Sequence, residues 1–366
     1  MKKTSYLNCE FEYKLLDETQ QVTDLREKLT VLYPTPFADI LWWELRDLSL
    51  LNKGYYKLFY YEQSILTHIV LFKYTDRTQK KIYIINREFK ITITHIENIC
   101  HILFHEFDKV QQIIFENIFE PNSKQLSKMI FEKTSDDIII LDLPESTENY
   151  IKSLGKSTRK RIKLATNHIV RDFSCFQVHF FEKCDILYEQ IEKIVSLNRS
   201  RMKTKGIISA LDDTECNILH QYAFTSDFGF VCVCVIDGKI VGGTINSIVG
   251  KHAYMHVIAH DNSYQNYSIG LITLLHATKY LIEDKNINHY HLLCGTQEYK
   301  FRHGGINHDL YTFRVFRNTD VHFFCGKTLN AFRINYRKFK QRLKNDKVIY
   351  NLYIKLNRMK MSITGV

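Results

Sequence analysis

The stretch from residue 252 to residue 305 constrains this chain more than any other. HAYMHVIAHD reads as a strand, SIGLITLLHATKYLIEDK as an amphipathic helix and INHYHLLC as the next strand. GTQEYKFRHGG follows as a glycine-flanked, lysine-bearing loop. The strand enters the helix through a turn of small and polar residues, QNYSIG. Such a turn leaves the first backbone N–H groups of the helix unused, at the positive end of its dipole. That arrangement suits a phosphate group.

The chain has 366 residues, enough for one large or two medium domains. With 45% hydrophobic and 25% charged residues it has an ordinary globular balance, and 4 prolines and 14 glycines leave no room for long disordered linkers. No apolar run reaches the ~18 residues of a membrane span, and MKKTSYLNCEFEYK lacks the apolar core of a signal peptide. The 9 cysteines follow no metal-ligand spacing, so they are expected as reduced thiols in a cytoplasmic protein, with no metal.

The net charge of +10 is concentrated near the end of the sequence. Residues 331–360 hold ten Lys or Arg and one acid, Asp346. This basic helical tail, 321–366, suits a membrane surface or RNA. Phe332, Phe339, Leu343, Ile349 and Leu352 recur at helical spacing, so a solvated helix packed on the body is the plainer alternative.

Both halves show helices, then antiparallel strands, a helix and a strand. In the first half, 22–33 and FADILWWELRDLSL read as helices. YYKLFYYEQ, SILTHIVLFKY and KKIYIINREFKIT read as strands, with a turn at 76–79, and a helix and QQIIFENIF follow. DIIILDL (137–143) reads as its last strand. The second half has a basic helix after Gly155, a strand, helices over 185–205 and 212–226, and a hairpin turned by Asp237-Gly238. DLYTFRVFR is expected to close its sheet. The expected fold is therefore α/β (α+β), a duplicated unit of mixed, mostly antiparallel sheets flanked by helices. Its divisions are 1–145, 146–320 and the tail.

Gln265-Asn266-Tyr267-Ser268-Ile269-Gly270 resembles the pyrophosphate loop of GNAT-superfamily N-acyltransferases, Gln/Arg-x-x-Gly-x-Gly/Ala, with Ser268 in place of the first glycine. The Tyr299-Lys300 loop is similar to that of the Fem-like branch. This branch includes acyltransferases of polysaccharide and lipid pathways and the aminoacyl-tRNA-using peptidoglycan transferases. The resemblance covers roughly residues 30–320 and is strongest over 150–305. It implies two tandem GNAT-like units, the second binding the donor, with the donor's pantetheine arm in a gap between strands 252–260 and 288–294.

It implies acyl-CoA or acetyl-CoA as cosubstrate, held at Gln265, Asn266, Tyr267, Ser268, Ile269, Gly270 and Leu271. Amide formation from a thioester also needs an oxyanion stabiliser, a base for the amine and an acid for the thiolate. Lys300 is the candidate stabiliser, although most lysines are surface residues. His260 is the candidate base, with His256 on the same strand face. Tyr299, Tyr264 and Tyr267 are candidate acids, and Glu298 belongs to the same catalytic loop. Arg302 and His303 are candidates for an anionic acceptor or donor phosphate. Trp42 and Trp43 are candidates to line an acceptor cleft; packing against the core is the plainer reading for both. Cys294 with His303 is a competing nucleophile pair.

The expected activity is transfer of a non-aminoacyl acyl group from acyl-CoA, or an acyl carrier protein, to the amine of a small molecule, amino sugar, amino acid or lipid precursor. Two alternatives stay open: an aminoacyl-tRNA donor, and an inactive GNAT-like binding module.

Overall fold

The computed structural model describes residues 2–335, apart from 7–8, 19, 21, 48–54, 75–79, 120–128, 135–137, 226–228, 296, 320–322 and 333. The chain divides into two compact units. Among the described residues, one spans 2–134 and 308–335 and the other spans 138–307.

The first unit is built on β1 (Lys2–Tyr6), β2 (Cys9–Leu16), β3 (Tyr56–Glu62), β4 (Ile65–Tyr74), β5 (Lys81–Ile84), β6 (Gln112–Phe119) and β7 (Met129–Lys133). Its sheet runs β1-β2-β3-β4-β5-β6-β15-β7, where β15 is Leu310–Phe316. Neighbours are antiparallel except β5 and β6, which run parallel across α3 (Ile93–Glu106). Ile96, Ile99, Ile102 and Leu103 recur on one face of α3 and are buried in a core with Leu58, Val70, Phe72 and Phe115. Two short helices precede β3: α1 (Leu25–Leu32) and α2 (Ile40–Glu44).

The second unit contains β8 (Ile138–Asp142), α4 (Thr147–Ser153), α5 (Lys156–Asp172), β9 (Phe176–Glu182), α6 (Tyr188–Thr204) and α7 (Asp213–Thr225). Then come β10 (Gly229–Ile236), β11 (Lys239–Val249), β12 (His252–His260), α8 (Ile269–Glu283), β13 (His289–Cys294), α9 (Glu298–Arg302) and β14 (Ile306–His308). Its sheet runs β14-β8-β13-β12-β11-β10-β9, with β12 and β13 parallel across α8. The β10–β11 hairpin turns on Asp237 and Gly238, both left-handed at φ 48° and 76°, which matches the sheet twist.

Two adjacent glycines on β11 set the layer spacing. A Cβ on Gly242 would fall 2.6 Å from Ile269 of α8, and one on Gly243 2.6 Å from Ile194 of α6. The strand thus admits a helix closely on each face. Ile272, Leu274, Leu275, Leu281 and Ile282 of α8 are buried, each stabilising by about 1.5–3 kcal/mol.

Duplication is therefore real, but two strands are placed differently from the sequence expectation. DIIILDL does not end the first sheet: β8 pairs with β13 of the second. DLYTFRVFR does not close the second sheet: β15 pairs with β6 and β7 of the first. Each sheet is completed by a strand from the far side of a long sequence interval. In addition, KKIYIINREFKIT is strand only over Lys81–Ile84, and Glu298–Arg302 is a helical turn inside the expected loop. Residues 323–332 are helical. Residues 336–366, with nine of the ten Lys and Arg of 331–360, lie outside the described residues, as does the whole expected turn at 76–79. No helix among the described residues is long and apolar enough to cross a membrane.

Candidate active site

The second unit has a gap in its sheet. Parallel pairing of β12 with β13 runs only from His252↔His289 to Tyr254↔His291. Beyond that point both strands continue, β12 to His260 and β13 to Cys294, without pairing to each other. On its other side β13 slips register against β8 between His291 and Cys294, where Leu293 is left-handed (φ 53°). The end of β13 thus leaves the β12 ladder and bulges against β8 before Cys294 pairs with Ile138.

Lys300 holds that end in place. It is 3% exposed, and its Nζ donates to the carbonyl oxygens of Leu293 (3.0 Å) and Cys294 (2.6 Å). Burial lowers its pKa to about 8. The expectation that Lys300 faces an oxyanion or phosphate is corrected here: its ammonium serves two carbonyls released by the bulge.

At the open end, residues 262–267 form a 3-10 turn, and Ser268 starts α8 in the left-handed conformation (φ 53°, ψ 40°). That is the conformation the motif's glycine adopts freely. Serine occupies it at a cost of about 1–2 kcal/mol, so the departure at Ser268 strains the turn without changing its path. The Ser268 side chain does not cap the helix. It accepts instead from Arg161 of α5 at 3.3–3.4 Å. The N–H groups of Ile269 and Gly270, in the first turn of α8, have no partner within it. A Cβ on Gly270 would lie 2.8 Å from Nδ1 of His260, so the glycine lets the turn close over the end of β12.

These parts line one cleft of about 570 Å³. Ser157, Thr158 and Arg161 come from α5, and Arg201, Thr204 and Lys205 from the end of α6. Ile258 and His260 come from β12, Gln265, Ser268, Gly270 and Leu271 from the turn, and Tyr299 and Arg302 from α9. Four of the lining residues are cations and none is an acid. Of the four, Arg302 is paired with Glu298 at 2.7 Å, which places exposed Glu298 in an ion pair rather than in chemistry. His260 has a buried Nδ1 with no hydrogen-bond partner among the described residues. Burial, then Arg201 and Lys205, lower its pKa to about 4, so it is neutral at pH 7. Tyr299 is held protonated, its pKa raised to about 12 by burial.

Other expected residues lie elsewhere. His303 is fully buried and paired with the hydroxyl of Tyr150 at 3.1 Å, so it is a core residue and not an anion ligand. Its burial also removes it as a base for Cys294, which is exposed. His256 sits at a bulge of β12 against Ser247 at 2.8 Å. Tyr267 donates to Asp172, and Tyr264 packs near Phe173. Asn266 and Tyr267 do not line the cleft. Trp43 belongs to the first unit, where its indole donates to the Phe37 carbonyl and its ring packs on the core under Arg87. Arg161, Arg201 and Lys205 were not singled out from the sequence as site residues. The signal was present at the end of α6, where Arg201 and Lys205 stand four apart with no acid between them.

Residues 156–301, which contain every residue lining this cleft except Arg302, match the family model of the GNAT acetyltransferase domain. The match lies within the second unit. Among solved structures, FemX has a similar fold (TM-score 0.58, 9% identity, 83% of this chain and 98% of that one). A conserved protein of unknown function from Bacteroides thetaiotaomicron VPI-5482 is also similar (TM-score 0.51, 10% identity, 81% and 99%). So is the C-terminal domain of a putative lysylphosphatidylglycerol synthetase from Agrobacterium fabrum (TM-score 0.50, 9% identity, 79% and 90%). No curated protein matches the sequence. The chain thus carries a stretch that matches the GNAT acetyltransferase domain, within an overall fold similar to that of FemX.

Proposed function

We propose that the GNAT domain transfers an acyl group from a phosphorylated carrier thioester, acyl-CoA in the first instance, to an amine. The observation that carries this reading is the β12–β13 gap opening beside a helix N-terminus in a cleft lined by cations and no acid. A thioester arm fits between strands that have stopped pairing with each other. The N–H groups of Ile269 and Gly270, with Arg161, take the carrier's phosphate. Backbone N–H groups of β12 beyond Tyr254 stabilise the oxyanion in the place first given to Lys300. Neutral His260 accepts the amine proton, directly or through water, and the Tyr299 hydroxyl protonates the leaving thiolate. The acceptor is an amine of a small molecule, amino sugar, amino acid or lipid precursor. An acyl carrier protein is an alternative source of the thioester.

Titration calorimetry with CoA, acetyl-CoA and longer acyl-CoAs tests the reading, with micromolar binding expected. Absence of binding below millimolar concentration for all of them removes it. A second reading is favoured by α5, which exposes Lys156, Arg159, Lys160, Arg161 and Lys163 with no acid before Asp172. A tRNA-linked aminoacyl donor would use that face. Tight tRNA binding that weakens steeply with salt supports it; unaltered CoA binding with no tRNA binding rejects it.

A further inference from the structure

Arg201 and Lys205 have no role in the scheme above. They stand four residues apart at the end of α6 and both line the cleft. Cations at a helix C-terminus are ordinarily explained by the dipole, which favours them by about 0.3–1 kcal/mol. Here the surroundings work against the charge. Arg201 is half-buried, and among the described residues its guanidinium has neither a carboxylate partner nor a hydrogen-bond acceptor; the Tyr299 hydroxyl is its electrostatic neighbour. Burial lowers its pKa, and burial together with Arg201 lowers that of Lys205. Both cations in turn depress His260. Two like charges crowded against each other and a neutral imidazole gain from an anion between them.

The backbone cannot easily move to separate them. Ile194 of the same helix sits over Gly243 with no room for a Cβ, which fixes α6 on the sheet. Nor do they duplicate the turn at the start of α8, where it is Arg161 that reaches Ser268.

We propose that Arg201 and Lys205 form a second anion subsite in this cleft, separate from the turn at Ser268, taking a phosphate or carboxylate group beside His260 and Tyr299. The inference rests on the reading of the cleft as the place of acyl transfer, and the anion has two sources within it. It is a second phosphate of the carrier, or an acidic group of the acceptor, which is then an amine that also bears a phosphate or carboxylate.

The test is titration of inorganic phosphate into the whole protein, with and without saturating CoA, for wild type, Arg201→Gln, Lys205→Gln and Arg201→Lys. Thermal melting confirms folding of each. Phosphate is expected to bind wild type in the millimolar range, with affinity lowered about tenfold or more in both Gln variants and largely kept in Arg201→Lys. Lys205 is the more exposed of the two, so Lys205→Gln carries the test if Arg201→Gln fails to fold. Loss of phosphate binding once CoA is saturating assigns the subsite to the carrier; persistence assigns it to the acceptor. Equal phosphate affinity in wild type and Gln variants, or no binding to wild type, overturns the proposal, even where CoA still binds. Phosphate binding through Arg201 and Lys205 in a protein that binds no CoA keeps the subsite and rejects the acyl-CoA reading.

Discussion

Each unit crosses from one parallel strand to the next through a helix, by β5–α3–β6 in the first and β12–α8–β13 in the second. The segment between strand and helix makes them different. In the first unit it closes the sheet: the N–H of Glu88 donates to Asn117 on β6 at 2.7 Å, and Asn86 accepts from the N–H of Leu71 at 2.7 Å. Phe89 is buried, and the Thr92 hydroxyl caps α3 by accepting from His95. In the second unit the pairing stops at Tyr254, the Ser268 side chain caps nothing, and the space is lined by cations. One backbone plan therefore gives a filled crossover and an open one. The choice is made by about eight residues, through where their polar groups find partners.

The largest effect expected from closing the open crossover comes from Gly270→Val. Its side chain would meet His260, and CoA affinity measured by calorimetry should drop about 100-fold, roughly 2.7 kcal/mol. An unchanged affinity would mean the turn is not where the carrier sits.

The filled crossover has a matching weak point. Burial raises the pKa of Glu88 to about 8, and its Oε2 has no hydrogen-bond partner among the described residues. An acid whose pKa is raised on folding loses stability as pH climbs from its unfolded value, near 4.5, towards 8. Glu88→Gln should therefore stabilise the protein at pH 7 by on the order of 3 kcal/mol and flatten this slope in denaturant titrations. A destabilised variant with the slope intact would show that the carboxylate is paired.

Lys300→Met leaves the carbonyls of Leu293 and Cys294 without their donor, while removing a buried charge. The net loss expected is about 2 kcal/mol, seen as a lower melting temperature. Because the folded pKa of Lys300 is depressed to about 8, its contribution improves as pH rises from 8 towards 10.5, and the variant should lack that rise. Normal stability with turnover abolished would instead return Lys300 to the chemistry. The smallest effect is Ser268→Gly, which relieves the left-handed strain and should add about 1 kcal/mol or less of stability.

Much of the open crossover was legible in the sequence. The helix 269–283, the strands around it and the Asp237-Gly238 hairpin all carry local signals, in apolar spacing or turn chemistry. The exchange of β8 and β15 was not legible, because an apolar run such as DIIILDL records that a strand is buried and not which neighbour it has. Lys300 and His303 were misplaced for a similar reason. Their spacing is that of an exposed loop, and only the bulge at Leu293 and the hydroxyl of Tyr150 draw them inward. Arg201 and Lys205 were hidden in a helix whose charges alternate like those of a solvated face.

The strand exchange also bears on how the protein is made. Synthesis delivers β1 to β7 first, yet β6 and β7 lack the strand between them until residue 316 has left the ribosome. Until then the nascent first unit presents an unpaired, apolar β6 edge, the kind of surface that invites wrong pairing and chaperone capture. In the second sheet β8 also waits for its partners β13 and β14, but that sheet is complete by residue 308. The half that emerges first is thus the last to be completed, and a chain cut short after residue 308 would lack the closing strand of the first sheet while the second has all of its strands.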